Sequence, residues 1–557
     1  MVNRNDEASL GKFVIVGAAV AGLLIETNLT LTPTSLDRFL GLHIIAYAAL
    51  FFTLMLGRSR NLFPNVSLKI LSLAFIAWSL ISIIVNQDSR VQQLFGVFGR
   101  NTGLLAYVAL LILMINVASI KSEGIGPLVS KSLIFVGLLS TGYGLIQFLG
   151  LDPIPWTGTE GQITGLMGNT NFQSSLLGIT STATLCILLA QKNTLNLRVI
   201  YVSIIVINLF VILKTQSLQG FLVFGVGALV VLNLYLKDRY SKSISVGVLA
   251  CSLLSLLLFG LGILNQGPLA RFLHTPTIVL REFYWGAGIN MVKANPLFGF
   301  GYDSYGDYYR MFRSPGSIVD YGPELASDAA HNVFIDIAVN GGLPLLIIYC
   351  GLLGVVLFSA VKFIKRETSF DPYFATLFSC WVAYVSQTMI SINQISLAIW
   401  GWVLAGAIVS YEISTRELST INPSHKGNSG KVKVEMQAKG VVAIFVGSIV
   451  GLIIALPPFL GSAGMRSAML SRDPVRIESA ALAWPKNVTY MMKATEIFRD
   501  NKLDSKSHAM ALATLEQFPN SFFAWRTFST LPNATATELA KAKSEMKRLD
   551  PHNPDLK

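Results

Sequence analysis

Thirteen apolar stretches recur between Phe13 and Pro458 of this 557-residue chain. At about 17 to 25 residues each, they can cross a hydrocarbon layer of roughly 30 Å at 1.5 Å of rise per residue. No water reaches backbone amides inside such a layer, so a spanning segment must bond its own backbone, and stretches this long do so as helices. They lie near 13–31, 38–56, 67–85, 103–120, 128–150, 170–190, 197–213, 218–236, 244–264, 332–361, 372–391, 394–413 and 440–462, the first interrupted by Glu26. Only 13% of residues are charged, against roughly 25% in ordinary soluble chains. The expected fold is all-α: a polytopic membrane bundle of about thirteen transmembrane helices. The stretch after Lys12 leads to no small-residue cleavage pattern, so it is expected to remain as an anchor.

Basic residues are retained on the cytoplasmic side. With the amino terminus inside, the inner segments hold 20 Lys and Arg, the outer loops 9, and the tail after the last stretch the other 14 of 43. That bias predicts a cytoplasmic amino terminus, and it puts both the polar interval 265–331 and the tail 463–557 outside the cytoplasmic membrane. The formal charge of +12 then reflects topology and a mildly basic tail. Nucleic acid binding needs a concentrated basic face, and none is seen. Cys186, Cys251, Cys350 and Cys380 all fall within apolar stretches, without metal-ligand spacing.

Composition divides the chain into an N-terminal transmembrane bundle (1–264), an extracytoplasmic loop (265–331), C-terminal transmembrane helices (332–462) and a helical tail (463–557). The inner linker INPSHKGNSGKVK is rich in Gly, Ser and Lys and is predicted to be flexible. In the tail, VTYMMKATEIF, SHAMALATLEQF, SFFAWRTF and TATELAKAKSEMKRL carry apolar residues at helical spacing between Pro, Asn and Asp. The expectation is a small extracytoplasmic array of helical hairpins. Its last stretch resembles a tetratricopeptide unit, whose period is about 34 residues; an unrelated helical cap is the alternative.

Charges near membrane depth each cost ~2.5 to 3.5 kcal/mol on the insertion scale and are rarely kept without a use. At the outer boundary these are Arg100, Arg281, Arg310 and Arg313. A guanidinium offers a planar fork of donors suited to phosphate. The alternative is charge pairing, of Arg281 with Glu282 and of Arg310 with Asp307. His331, where the chain re-enters the membrane, can act as a base toward a hydroxyl or simply cap a helix. Asp303, Asp307, Asp320, Glu324, Asp328 and His331 share the loop but match no ligand spacing, so no metal and no cofactor are expected. The glycines of NPLFGFGYDSYG have no strand–helix unit around them. They are expected to turn the loop back onto the membrane surface.

R-x-x-x-W at Arg281 to Trp285, then NPLFGFGYDSYGDYYR and AHNVFIDIAVNGGLPLL, resembles the O-antigen ligase and polymerase family of bacterial membrane glycosyltransferases. GRNTGLLAY at Gly99 and GLMGNTNFQSSLL at Gly165 are similar to that family's earlier segments. The resemblance implies a C-type glycosyltransferase fold that takes a glycan from an undecaprenyl-diphosphate donor, without metal, at the outer face of the membrane. The acceptor would be a glycan, lipid or protein hydroxyl. The resemblance assigns catalysis to His331 and Arg281. Substrate contacts fall to Arg100, Arg310, Arg313, Trp285 and Asn332 around the loop, with Asn171 and Gln219 from earlier segments. One departure stands out: in KTQSLQGFLVFG, Gln219 occupies a place where the family often has a phosphate-binding arginine. Lys214 or Arg310 would compensate, or the acceptor differs. Expected partners are membrane lipids and a protein bound by the tail. A lipid-linked glycan transporter is the rival reading, but it would place ionisable residues near the midplane.

Overall fold

A computed structural model describes residues 4–25, 28–32, 34–55, 62–86, 88–122, 124–154, 156, 161–420 and 438–556. The linker at 421–433, Glu26, and Arg58 and Arg60 of the second inner segment lie outside the described residues. The described chain is helical, with no strand among those residues.

Each apolar stretch coincides with a helix: Arg4–Leu23, Leu36–Met55, Val66–Val85, Leu104–Ala118, Ile125–Phe148, Thr170–Leu188, Leu195–Lys214, Gln219–Arg239, Lys242–Ile263, Val333–Arg366, Pro372–Thr388, Ile395–Thr420 and Ala438–Ser471. Among the described residues, nine of these are long and apolar enough to cross a membrane by themselves. The other four, 4–23, 104–118, 170–188 and 372–388, are shorter or more polar. The largest differences from the bounds read in the sequence fall at the first and last of these helices and at 395–420, which continues past the expected end at 413. The first helix begins at Arg4 and ends at Leu23, because the Asn, Thr and Pro residues after it favour turns over helix. The last continues past 463 to Ser471, carrying the membrane helix into the tail.

The spanning part of 395–420 is wholly buried, surrounded by 4–23, 104–118, 333–366 and 372–388. The 170–188 helix lies between 125–148, 195–214, 219–239 and 372–388. Its polar side chains stay in the interior because they find partners there. Thr182 and Thr184 donate to carbonyls one turn back, Gln173 pairs with Ser140, and Asn208 donates to Ser181. Such bonds let Ser and Thr sit in a membrane helix without an orphaned hydroxyl. The 242–263 helix, by contrast, exposes Leu249, Leu253 and Leu257 and faces lipid.

The polar interval is itself largely helical, with Ala270–Leu273, Pro276–Ala294, Tyr305–Phe312 and Pro315–Tyr321. Its glycine-rich segment does fold back. The 333–366 helix breaks at Gly341 and Gly342 (φ +73°), and residues 296–301 occupy the break. There Phe300 N–H donates to the Val339 carbonyl at 2.7 Å, Leu343 N–H to the Pro296 carbonyl at 2.7 Å, and Trp78 Nε1 to the Gly341 carbonyl at 2.7 Å. A Cβ on Gly342 would stand 2.2 Å from the Leu297 carbonyl oxygen. Gly342→Ala is therefore expected to cost at least about 1–3 kcal/mol, read as a lower thermal unfolding midpoint of the purified protein. An unchanged midpoint would show that the break is not needed.

Four helices after the loop bring the chain back to the end where the loop lies, and the tail docks there. Its helices Val488–Asp500, Asp504–Gln517, Phe522–Ser529 and Ala536–Leu549 match the four stretches read from sequence, with Pro474–Leu482 added before them. They pack in succession as hairpins around Met491, Phe498, Trp525, Phe528 and Leu549. Tyr490 meets Phe98 and Trp484 meets Phe95 edge-on at ring separations of 5.4 and 5.5 Å, seating the tail on the 88–103 segment.

Candidate functional site

A cavity of about 290 Å³ opens where three helices begin. Asn171 is the second residue of 170–188, Gln219 the first of 219–239, and Thr277 the second of 276–294; all three line it. A helix start presents unpaired N–H groups and about half a positive charge. Among the described residues the start of 276–294 carries no side-chain cap, and at the start of 219–239 the Gln219 amide meets one side-chain oxygen, Ser217 Oγ at 3.3 Å, which leaves most of that potential directed at the cavity. Arg281 lines the same space, only 8% exposed, and makes no hydrogen bond or ion pair among the described residues. Burial pulls its guanidinium below its usual pKa, and Tyr284 partly opposes this. A buried cation without a carboxylate is costly, and here it stands where helix starts already favour an anion. The remaining wall is apolar, formed by Leu218, Leu222, Phe259, Ile263, Phe272 and Leu273. Leu218 and Phe272 are largely exposed.

His331 adjoins this site through Tyr284, one turn along the helix from Arg281. The two rings stack with centroids 5.3 Å apart and an interplanar angle of 25°. His331 holds φ +55°, a left-handed conformation that costs a non-glycine residue of order 1–3 kcal/mol and clusters at functional sites. Its imidazole is pushed down to about 4, first by burial and then by the charge of Arg281, with Asp328 opposing and Arg100 reinforcing. The ring is thus neutral across the physiological range. The imidazole and the Arg281 guanidinium lie within electrostatic reach of each other.

The structure separates the other expected residues from this cavity. Arg100 bonds Asp303 at 3.2 Å and faces Asp328 at 3.6 Å. Asp303 also takes bonds from Thr102 and the Val97 amide, so this pair organises the 96–103 turn beside His331. Arg313 binds Asp550 of the tail through Nη2 at 2.7 and 2.9 Å, and Arg310 joins the same carboxylate at 3.0 Å. Both arginines also donate to the Pro323 carbonyl, and Arg310 lies over the Phe522 ring at 4.4 Å. They serve to attach the tail. Neither anticipated pairing is the one found: Glu282 faces His274 and Asp307 accepts from Gln92. Asn332 caps the 333–366 helix, accepting from Phe334 and Ile335. The buried Trp285 Nε1 lacks a partner. Lys214 rests against Phe148 and Phe210 and does not line the cavity.

Sequence reasoning did not single out Tyr284, Ser217 or Thr277. Ser217 donates to the Asn171 Oδ1 at 2.8 Å and orients that amide. Tyr284 is a residue of the Arg281–Trp285 segment, so its position one turn from Arg281 was the available signal; for Ser217 and Thr277 nothing local marks convergence of helix starts. Asp336, which accepts from the Ala330 amide and holds the backbone beside His331, was likewise overlooked.

Residues 203–350 match the family model described as O-antigen ligase. No curated protein matches the chain. The matched segment contains Ser217, Gln219, Arg281, Tyr284 and His331, and it supports assigning the chain to the O-antigen ligase/polymerase family, among membrane glycosyltransferases of the O-antigen ligase type.

Proposed function

We propose that this protein transfers a glycan from an undecaprenyl-diphosphate carrier to a hydroxyl acceptor at the outer face of a bacterial cytoplasmic membrane. The observation that carries the reading is Arg281, buried and, among the described residues, free of ion pairs where three helix starts converge, with an apolar wall that includes the exposed Leu218 and Phe272. That arrangement suits an anion attached to a hydrocarbon chain. The bias of basic residues supports an inside amino terminus and an outside loop and tail.

In this reading the diphosphate lies against Arg281 and the helix starts, which stabilise charge as the anomeric carbon–oxygen bond breaks. The acceptor hydroxyl forms the new bond to that carbon and gives its proton to neutral His331. The arriving diphosphate offsets the Arg281 charge, so the imidazole becomes a stronger base once the donor is bound. The stacked Tyr284 and the bonds of Asp336 and Asn332 on either side of His331 hold the ring in place.

A pH dependence follows. Above its folded value of about 4, His331 is deprotonated and competent, and activity is lost as pH falls through that value. The acidic limb of kcat/KM, which reports the free enzyme, is therefore expected well below 6.5, and the limb of kcat at higher pH. A kcat/KM limb at 6.5 or above would contradict the assignment of His331 as base. The reading itself is tested by incubating the purified protein with an undecaprenyl-diphosphate glycan and a hydroxyl acceptor, where transfer supports it and no turnover with any acceptor overturns it.

The tail favours an acceptor or partner protein at the same face. Its second hairpin begins at Phe522, 34 residues after Val488, the spacing of a tetratricopeptide pair. Protein O-oligosaccharyl transfer is thus the second reading, with the same donor and site. Transport is disfavoured: the broken 333–366 helix has the carbonyls at its break bonded by residues 296–301 and Trp78, where a transporter would expose them to a solute.

A further inference from the structure

Gln219 lines the cavity as a primary amide, a group whose acceptor oxygen does not suit a phosphate. It is 5% exposed, and both Oε1 and Nε2 lack a hydrogen-bond partner among the described residues. It lines the cavity together with Arg281 and Asn171. An orphaned buried amide costs about 1–3 kcal/mol for each group left unmade, so a bound ligand is expected to satisfy both atoms.

A diphosphate bound by Arg281 presents acceptor oxygens only. It could take a bond from Nε2 and would leave Oε1 facing negative charge. The complement of a primary amide is a group that both donates and accepts: a hydroxyl or an acetamido group. On a lipid-linked glycan such groups begin at the sugar attached to the diphosphate. The neighbouring Asn171 also lines the cavity, with its Oδ1 accepting from Ser217.

Resting on the proposed function, we infer that Gln219 is a sugar-reading residue. It receives a hydroxyl or acetamido group of the first sugar while Arg281 holds the diphosphate. Gln219 would then set which donors are accepted, and its lack of charge is what the role requires.

The test measures binding of three lipids to full-length protein in nanodiscs: a short polyprenyl diphosphate, the same lipid carrying one N-acetylglucosamine, and the same carrying one glucose. The wild type is expected to bind at least one glycosylated lipid about tenfold more tightly than the bare diphosphate, as two recovered hydrogen bonds imply. Gln219→Met keeps length and removes donor and acceptor, and should erase that advantage, weakening the glycosylated lipid by more than it weakens the bare one. Gln219→Asn, which keeps the amide but retracts it, should give an intermediate advantage and serves if the Met protein does not fold. The acetamido and hydroxyl arms identify the group read. Equal weakening of all three lipids by Gln219→Met would make the residue a phosphate contact and overturn the inference with the function intact. No sugar preference in the wild type would overturn it as well. Failure of every lipid to bind the wild type, or full binding by Arg281→Ala, would instead bring down the functional reading and the inference with it.

Discussion

Arg281→Ala is expected to lower glycan transfer by about 10²- to 10³-fold, the usual loss when a preorganised charge partner of the departing group is removed. The protein should still reach the membrane and fold, because among the described residues Arg281 makes no hydrogen bond or ion pair whose loss would be felt. Removing an unpaired buried cation should, if anything, raise thermal stability. That opposition, activity down and stability level or up, distinguishes a binding residue from a structural one. Arg281→Lys retains charge but loses the planar fork and should recover only part of the activity. Wild-type transfer by the alanine protein, or a clear loss of stability, would remove Arg281 from the site.

Asp550→Ala is expected to have the opposite profile. Its carboxylate is fully buried and accepts from both Arg310 and Arg313, themselves 2% and 1% exposed. Taking it away leaves two buried like charges side by side with only the exposed Glu324 carboxylate, 3.9 Å from Arg310, a loss approaching the about 3–5 kcal/mol seen when one partner of a buried ionic group is deleted. The tail should loosen from the loop, with a lower unfolding midpoint and faster proteolysis between the last helices. Replacing all three residues together by Met and Leu should restore most of the stability, since a well-packed apolar substitute is often as stable as a buried ionic cluster. If Asp550→Ala melts like the wild type, the tail is held chiefly by Tyr490, Trp484 and their aromatic partners.

These two residues also mark what a single sequence can disclose. Membrane helices were readable because a hydrocarbon layer imposes a length and a polarity on whatever crosses it. The tail helices were readable because Pro, Asn and Asp punctuate an apolar period. The outer arginines looked alike by the same criterion of cost, and the structure divides them by partner. Arg310 and Arg313 meet a carboxylate more than 230 positions away, a pairing that no local pattern announces. Arg100 meets Asp303 across a similar distance.

Arg281 remained, and its neighbours came from the resemblance. Asn171, Gln219 and His331 were placed by motif, and three separate helix starts bring the first two to Arg281. The convergence of those starts is tertiary, so the anion-binding character of the cavity was not legible. Neither was the low proton affinity of His331, which depends on burial and on Arg281 in three dimensions. The break at Gly341 and Gly342 was not legible, since 332–361 reads as one apolar span; the glycines of NPLFGFGYDSYG suggested a turn, but not that residues 296–301 fill a broken helix.

The central claim is that the cavity beneath Arg281 receives the carrier diphosphate. An experimental structure of the full-length protein with a short polyprenyl diphosphate bound tests it most directly. The phosphates are expected within hydrogen-bond reach of Arg281 and of the starts of the 219–239 and 276–294 helices, with the hydrocarbon along Leu218, Leu222 and Phe272. Density for the phosphates at Arg100, at Arg310 and Arg313, or anywhere that leaves Arg281 untouched, would contradict it.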